Sequence, residues 1–169
     1  MQDPSTLTLR AARTSDCTRL LEWVNSPDSL AAKLKTHAPI ASVEHVRWFE
    51  RAMADNDIVI YIVESDGSAC GQIRFTRQFD NEPSTAPHWL VDIFVCNSFR
   101  GAGVARSAME KAMHRLLLEK RHTFAAFVAE VIHENPASLS LFRRLGFTSV
   151  ANTKTHVCLM KNVRRATDE

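Results

Sequence analysis

The stretch Val91-Asp92-Ile93-Phe94-Val95-Cys96-Asn97-Ser98-Phe99-Arg100-Gly101-Ala102-Gly103-Val104-Ala105 decides how the chain is read. An apolar run ends in a glycine-bearing turn. The turn opens onto residues 104–118, where Val104, Ala105, Ala108, Met109, Ala112, Met113, Leu116 and Leu117 repeat at helical spacing. Strand, glycine turn and amphipathic helix in that order make a device for anions. Glycine lets the backbone come close to a ligand, and the first amides of a helix lack partners within it and sit at the positive end of its dipole. The physical reading is a phosphate or pyrophosphate cradle. No Gly-Lys-Ser/Thr follows, so it is not a Walker loop, and the third glycine of a dinucleotide fingerprint is missing. On this segment alone, a tight turn that binds nothing explains the residues equally well.

Outward from it, the pattern alternates. Leu7, Leu9 and Ala11 read as a first strand, and Thr14-Ser15-Asp16 caps a helix that Asn25-Ser26-Pro27 stops. Residues 30–34 form a short helix, and Ser42 caps a third with Val43, Val46, Trp48, Phe49 and Met53 on its apolar side. The β-branched run 58–63 ends at the hairpin signal Asp66-Gly67, with residues 70–79 as the partner strand. Residues 81–87 are a polar loop, and 89–96 a strand. Beyond the helix at 104–118 come a strand at 124–132, a helix at 136–145, and a strand pair at 147–150 and 155–160. The chain therefore reads as α/β (α+β), with a parallel step around the helix at 104–118.

Composition bounds the rest. Of 169 residues 45% are hydrophobic and 24% charged, which predicts one globular domain over 1–169, with a core at 7–160 and a solvated tail at 161–169. Lys and Arg number 21 against 19 acids, a balance that argues against a nucleic-acid binder. Cys17, Cys70, Cys96 and Cys158 are widely spaced, so no zinc knuckle or redox Cys-x-x-Cys is expected, and no metal. No basic, apolar leader opens the chain and no run is long enough to span a bilayer. A cytoplasmic protein without a membrane partner is the expectation.

A second segment resolves the ambiguity of the first. Glu130-Val131-Ile132-His133-Glu134-Asn135-Pro136-Ala137-Ser138-Leu139-Ser140-Leu141-Phe142-Arg143-Arg144-Leu145-Gly146-Phe147 follows the cradle by about thirty residues. Together the two resemble the GNAT superfamily of acyl-CoA-dependent acetyltransferases. Arg100-Gly101-Ala102-Gly103-Val104-Ala105 resembles the family's Arg/Gln-x-x-Gly-x-Gly/Ala pyrophosphate motif, and the Asn…Leu-Phe-x-x-Leu-Gly-Phe run its second cofactor motif. The resemblance covers residues 7 to 160. It implies a mostly antiparallel sheet of six to seven strands, flanking helices, and a splayed parallel strand pair at the cofactor cleft.

It also implies roles. The edge formed by Ile93, Phe94 and Val95 would pair with the pantetheine amides of acetyl-CoA, with carbonyl donors near Phe94 and Val95. Amides of Gly101, Ala102, Gly103, Val104 and Ala105 would hold the pyrophosphate, with Arg100 and Arg106 near the adenosine phosphates. Asn135 would contact the pantetheine arm as well as cap a helix, and Ser138 lies beside it. Glu130 stands where the ribosomal-protein N-terminal acetyltransferases of the family have a catalytic glutamate. Asp92, His88 and His45 are alternative bases. The family's tyrosine acid falls at Phe142, which has no proton to give, so water or Ser138 would substitute. The only tyrosine, Tyr61, reads as packing.

For the acceptor, His45-x-x-Trp48 and Gly71-Gln72-Ile73-Arg74 resemble the subgroup that acetylates amino groups on nucleotide-linked sugars, which includes the 4-amino-sugar N-acetyltransferase of pseudaminic acid biosynthesis. That subgroup's Trp-Arg-Asn is Trp23-Val24-Asn25 here. The resemblance implies a small-molecule amine substrate contacted by Trp23, His45, Trp48, Arg74 and His88, and a monomer or homodimer. Arg74 or Arg77 would pair with a diphosphate, and Trp23, Trp48 or Trp89 would stack on a sugar or base. Competing readings are acetylation of a protein N-terminus and, because of Phe142, a non-catalytic acyl-CoA sensor.

Overall fold

The computed structural model describes residues 6–34, 37–79 and 87–166. Residues 81–86 of the polar loop and the last residues of the tail, 167–169, lie outside them. In chain order the elements are β1 (Leu7–Ala11), α1 (Cys17–Val24), α2 (Pro27–Ala32), α3 (Ser42–Ala54), β2 (Ile58–Ser65), β3 (Ser68–Gln78), β4 (His88–Val95), α4 (Val104–Glu119), β5 (Phe124–Ile132), α5 (Pro136–Arg144), β6 (Thr148–Asn152) and β7 (His156–Arg164). Seven strands form one sheet in the order β1-β2-β3-β4-β5-β7-β6. Every neighbouring pair is antiparallel except β4 and β5. This is the expected mixed α/β sheet, with seven strands rather than six.

Two boundaries differ from the sequence reading. Asn25-Ser26-Pro27 ends α1 but also starts α2. Ser26 Oγ donates to the Trp23 carbonyl at 2.8 Å and accepts from the Ser29 amide, and Pro27 takes the first helical position, where its missing N–H costs nothing. The last strand continues to Arg164, which pairs with Phe124, so residues 161–164 belong to the sheet and not to a tail.

Strand β2 shows why its run is apolar throughout. Tyr61 and Val63 face the larger core with α4 and α5, whereas Ile60 and Ile62 face a second core made with Leu20 of α1 and Phe49 and Ala52 of α3. A strand covered on both sides has no polar face to alternate with. Tyr61 is fully buried and its hydroxyl donates to Glu119 at 2.6 Å, which fits the packing role. At the sheet edge, Lys111 and Arg115 of α4 donate to the Leu7 and Leu9 carbonyls and so blunt β1 against further pairing.

Asp16, only 2% exposed, locks β1 to α1. Its carboxylate takes two bonds from Arg10, at 2.7 and 2.9 Å, and a third from the Arg13 amide at 2.7 Å, while Arg10 Nε also reaches Glu64. The Arg10 hydrogen bonds hold Asp16 below its ordinary pKa against the cost of burial. A depressed carboxylate stabilises the fold above the unfolded value of about 3.9. The contribution is lost as pH falls through the lower, folded value. Asp16→Asn should cost about 2–4 kcal/mol at pH 7, read by denaturant unfolding. Its deficit against wild type should shrink below about pH 4, whereas a pH-independent deficit would assign the loss to packing.

Candidate functional site

The parallel pair β4–β5 is joined at only three positions, His88↔Ala126, Trp89↔Phe127 and Leu90↔Val128. Beyond Leu90 the two strands diverge, while β4 stays paired to β3 up to Gly71↔Val95. The Cys96 amide donates to the Cys70 carbonyl at 2.8 Å. In an antiparallel ladder that bond fixes the alternation: even-numbered β4 residues exchange bonds with β3, and Val91, Ile93 and Val95 turn theirs towards the opening. The sequence reading places carbonyl donors near Phe94 and Val95. The Phe94 amide faces Gln72 in β3, so the donors on this edge are Ile93 and Val95.

The edge leads into the glycine turn. Gly101 and Gly103 have φ of 79° and 77°, and a Cβ at either would meet no atom within 4 Å. Backbone sign, not crowding, demands glycine here. Gly103 caps α4 with no side-chain hydrogen bond, so the amides of Val104, Ala105 and Arg106 keep their outward donors. Ala102 lies exposed between the glycines. Edge amides, an uncapped helix start and an open turn in sequence fit a thioester donor with a pyrophosphate.

The side chains assigned to that donor divide. Asn135 caps α5, its Oδ1 accepting from the Ser138 amide at 3.1 Å, and its side-chain NH2 remains available for a ligand. Arg106, exposed, pairs with Glu110 one turn along at 3.2 Å. Arg100 turns away from the cradle. Its Nε donates to the Val95 carbonyl and its Nη1 to Asp28 of α2, both at 2.9 Å, so it ties α2 to the β4 edge. Phe142 is 3% exposed and stands edge-on to Phe147 at 5.0 Å. It is a core residue and offers no surface to a cofactor.

On the other side of the sheet the α1/α3 layer meets β3 and β4. Trp23 stacks on Phe94 at 5.4 Å and 28°. The Arg74 guanidinium lies 5.2 Å over Trp48 and 3.3 Å from Asp92, and Gln72 also reaches Asp92 at 3.3 Å. The sequence reading leaves Arg74 awaiting a diphosphate; Asp92 is already its anion. Lys33, just past α2, sits near the same pair, and burial lowers its pKa. Sequence reasoning misses Lys33 and Asp28, which carry no local motif, and sees Gln72 only as part of Gly-Gln-Ile-Arg.

Other assignments change. His45 is 3% exposed, with Nε2 2.9 Å from the Cys17 carbonyl; it ties α3 to α1, and burial lowers its pKa. It is neither a base nor a substrate contact. Trp89 is fully buried in the larger core and cannot stack on a ligand. His88 lies in the joined part of the β4–β5 ladder, on the closed side of the divergence. Glu130 is exposed on β5 opposite Cys158 of β7. Because His88 pairs with Ala126, even-numbered residues of both strands share one face, so Glu130, Asp92 and Phe94 lie on the same face and flank the opening.

Comparison with known proteins supplies the context. A family model described as an acetyltransferase (GNAT) domain matches residues 6–148. No curated protein matches the sequence. Among solved structures, the spermidine N-acetyltransferase of Vibrio cholerae with CoA and spermine is similar at TM-score 0.75 and 16% identity, over 95% of this chain and 96% of that one. The ribosomal alpha-N-protein acetyltransferase RimL with coenzyme A is similar at 0.73 and 18%, over 95% of each. An N-acetyltransferase from Staphylococcus aureus Mu50 is similar at 0.70 and 22%, over 94% of this chain and 98% of that one. At these identities the likeness is one of fold.

Proposed function

Because the chain belongs to the acetyltransferase (GNAT) domain family and is an acetyl-CoA-dependent N-acetyltransferase, we propose that its acceptor is the primary amine of a small polar molecule, a nucleotide-linked amino sugar before others. Acetyl-CoA supplies the thioester whose acetyl carbon the amine attacks directly, both substrates being bound together. The chain's own residues do the rest. Ile93 and Val95 amides receive the extended arm and the thioester oxygen on the diverging edge of β4. The start of α4 receives the pyrophosphate. Glu130 takes the proton that the ammonium must lose before its nitrogen can attack.

The observation that carries the reading is the shared face: Glu130 on one diverging strand and Asp92 on the other, with Arg74 of β3 and Trp48 of α3 beside Asp92, border one opening. Asp92 supplies a carboxylate for an ammonium, Arg74 beside it N–H donors for hydroxyl oxygens, and Trp48 and the Trp23–Phe94 stack a flat apolar wall for a ring. This pattern suits a sugar better than a polyamine, which would call for several carboxylates, or a peptide, which would call for a long groove. The leaving thiol needs no tyrosine, since thiols ionise near pH ~8.5 and water is at hand.

A free-thiol release assay with acetyl-CoA against UDP-linked 4-amino sugars, aminoglycosides, polyamines and N-terminal peptides tests it. The expected result is a kcat/KM for an amino sugar at least tenfold above every other class. Selective turnover of a peptide or a polyamine would overturn the acceptor assignment and leave the chemistry standing.

A further inference from the structure

On one face of β5 and β7 lies a group of side chains of which the transfer reaction calls on Glu130 alone. Glu130 and Cys158 are directly opposite in the β5–β7 ladder, and His156, two residues before Cys158, points to the same side. A carboxylate oxygen of Glu130, a ring nitrogen of His156 and the Cys158 sulfur all lie within 4.8 Å of one another. In a tetrahedral zinc site with bonds of about 2.0–2.3 Å, ligand atoms stand roughly 3.3–3.8 Å apart. The difference is within the reach of side-chain rotation, and the strands need not move.

The histidine is already oriented for such a role. Its Nδ1 is 2.9 Å from Thr155 Oγ1 and 3.1 Å from Thr153 Oγ1. Thr153 Oγ1 donates to the His156 carbonyl and accepts from the Thr155 and His156 amides, which fixes the turn beneath the ring. The two hydroxyls thus hold the ring by its Nδ1 side, as second-sphere hydroxyls and carbonyls orient metal-binding histidines. His133, bonded to the Thr153 carbonyl at 2.8 Å, steadies the turn that carries both threonines.

We propose that Glu130, His156 and Cys158 form a zinc site beside the acetyl-transfer opening, and that the ion inhibits the enzyme. One imidazole, one thiolate and one carboxylate suit Zn²⁺ and exclude the oxygen-seeking Mg²⁺ and Ca²⁺. The two negative charges neutralise the ion, and water completes the tetrahedron. A thiol binds zinc as the thiolate, so the Cys158 proton passes to solvent as the zinc–sulfur bond forms. Inhibition rests on the reading of Glu130 as the base: a carboxylate bound to zinc no longer accepts the proton of an incoming ammonium. Zinc here is a regulator, not a cofactor.

The test uses the full chain, titrated with Co²⁺ by absorption and with Zn²⁺ by calorimetry in two buffers of different ionisation heat. The expected result is one equivalent bound, with a thiolate-to-cobalt charge-transfer band and about one proton released. Cys158→Ser should abolish the band, weaken zinc binding about tenfold or more, and leave acetyl transfer intact but insensitive to zinc. His156→Gln should weaken binding similarly. Absence of the band, or a Cys158→Ser protein that binds and responds as wild type does, overturns the site. Zinc bound at the site without loss of transfer would retain the site and remove Glu130 as the base. Loss of transfer in Glu130→Gln, together with no zinc bound by the wild-type chain, would do the reverse.

Discussion

Glu130→Gln is expected to lower kcat by about 10²–10⁴-fold, the range general acid–base catalysis covers, while leaving the Kd for acetyl-CoA close to that of wild type. The reasoning is positional. Glu130 is exposed on the strand that diverges from β4, so its oxygens meet solvent or substrate rather than a structural partner. Asp92, the other candidate, accepts from Arg74 and Gln72 and is held for orientation. Asp92→Asn should therefore raise the acceptor KM more than it lowers kcat, because it disturbs ground-state and transition-state binding alike. Glutamine keeps the size and polarity of Glu130, so folding should survive. Glu130→Asp, which retains the carboxylate, should recover part of the lost rate. Steady-state kinetics over both substrates, with acetyl-CoA affinity measured separately, distinguishes these outcomes. A Glu130→Gln enzyme with undiminished kcat would move the base to the β4 side of the opening.

Much of this architecture is legible in the sequence. The strand, glycine turn and helix from Val91 onward fold as read, since φ near +78° at Gly101 and Gly103 and the apolar stripe of α4 are both written locally. The divergence of β4 and β5 is an implication of the family resemblance. What the sequence does not convey is where long side chains go. Arg100 sits in the motif but bends back to Val95 and Asp28, because a residue 72 positions away supplies a better partner than solvent. Arg74 invites a diphosphate only while Asp92 is out of sight, and the β3–β4 register places the two directly opposite. His45 and Trp89 look like ligand groups because polar and aromatic residues on apolar elements look alike whether they line a site or fill a core. Only burial separates the two cases. The trio of Glu130, His156 and Cys158 is invisible for a related reason: Cys158 and Glu130 become neighbours only through strand register.

The same dependence on register makes Gly71 the residue whose change should be felt furthest from itself. A Cβ at Gly71 would lie 2.4 Å from the Phe94 carbonyl oxygen and 3.3 Å from the Val95 Cα. Both are backbone, so nothing can rotate away, and β4 must shift by most of an ångström where it presents its Ile93 and Val95 amides to the opening. Gly71→Ala should therefore lower kcat/KM for acetyl-CoA by about 10²-fold, the scale on which misplacement by about 1 Å acts. It should also destabilise the fold by about 1–3 kcal/mol through strain in a packed sheet. Gly67 is the control. It has φ of 76° in the β2–β3 turn, and a Cβ there would meet no atom within 4 Å, so Gly67→Ala carries only local backbone strain of about 1 kcal/mol. Its acetyl-CoA affinity should equal that of wild type. The two variants thus separate loss of stability from loss of the edge. If Gly71→Ala bound acetyl-CoA no more weakly than Gly67→Ala, the diverging edge of β4 would not be where the donor lies, and the cradle at α4 would have to hold it by the pyrophosphate alone.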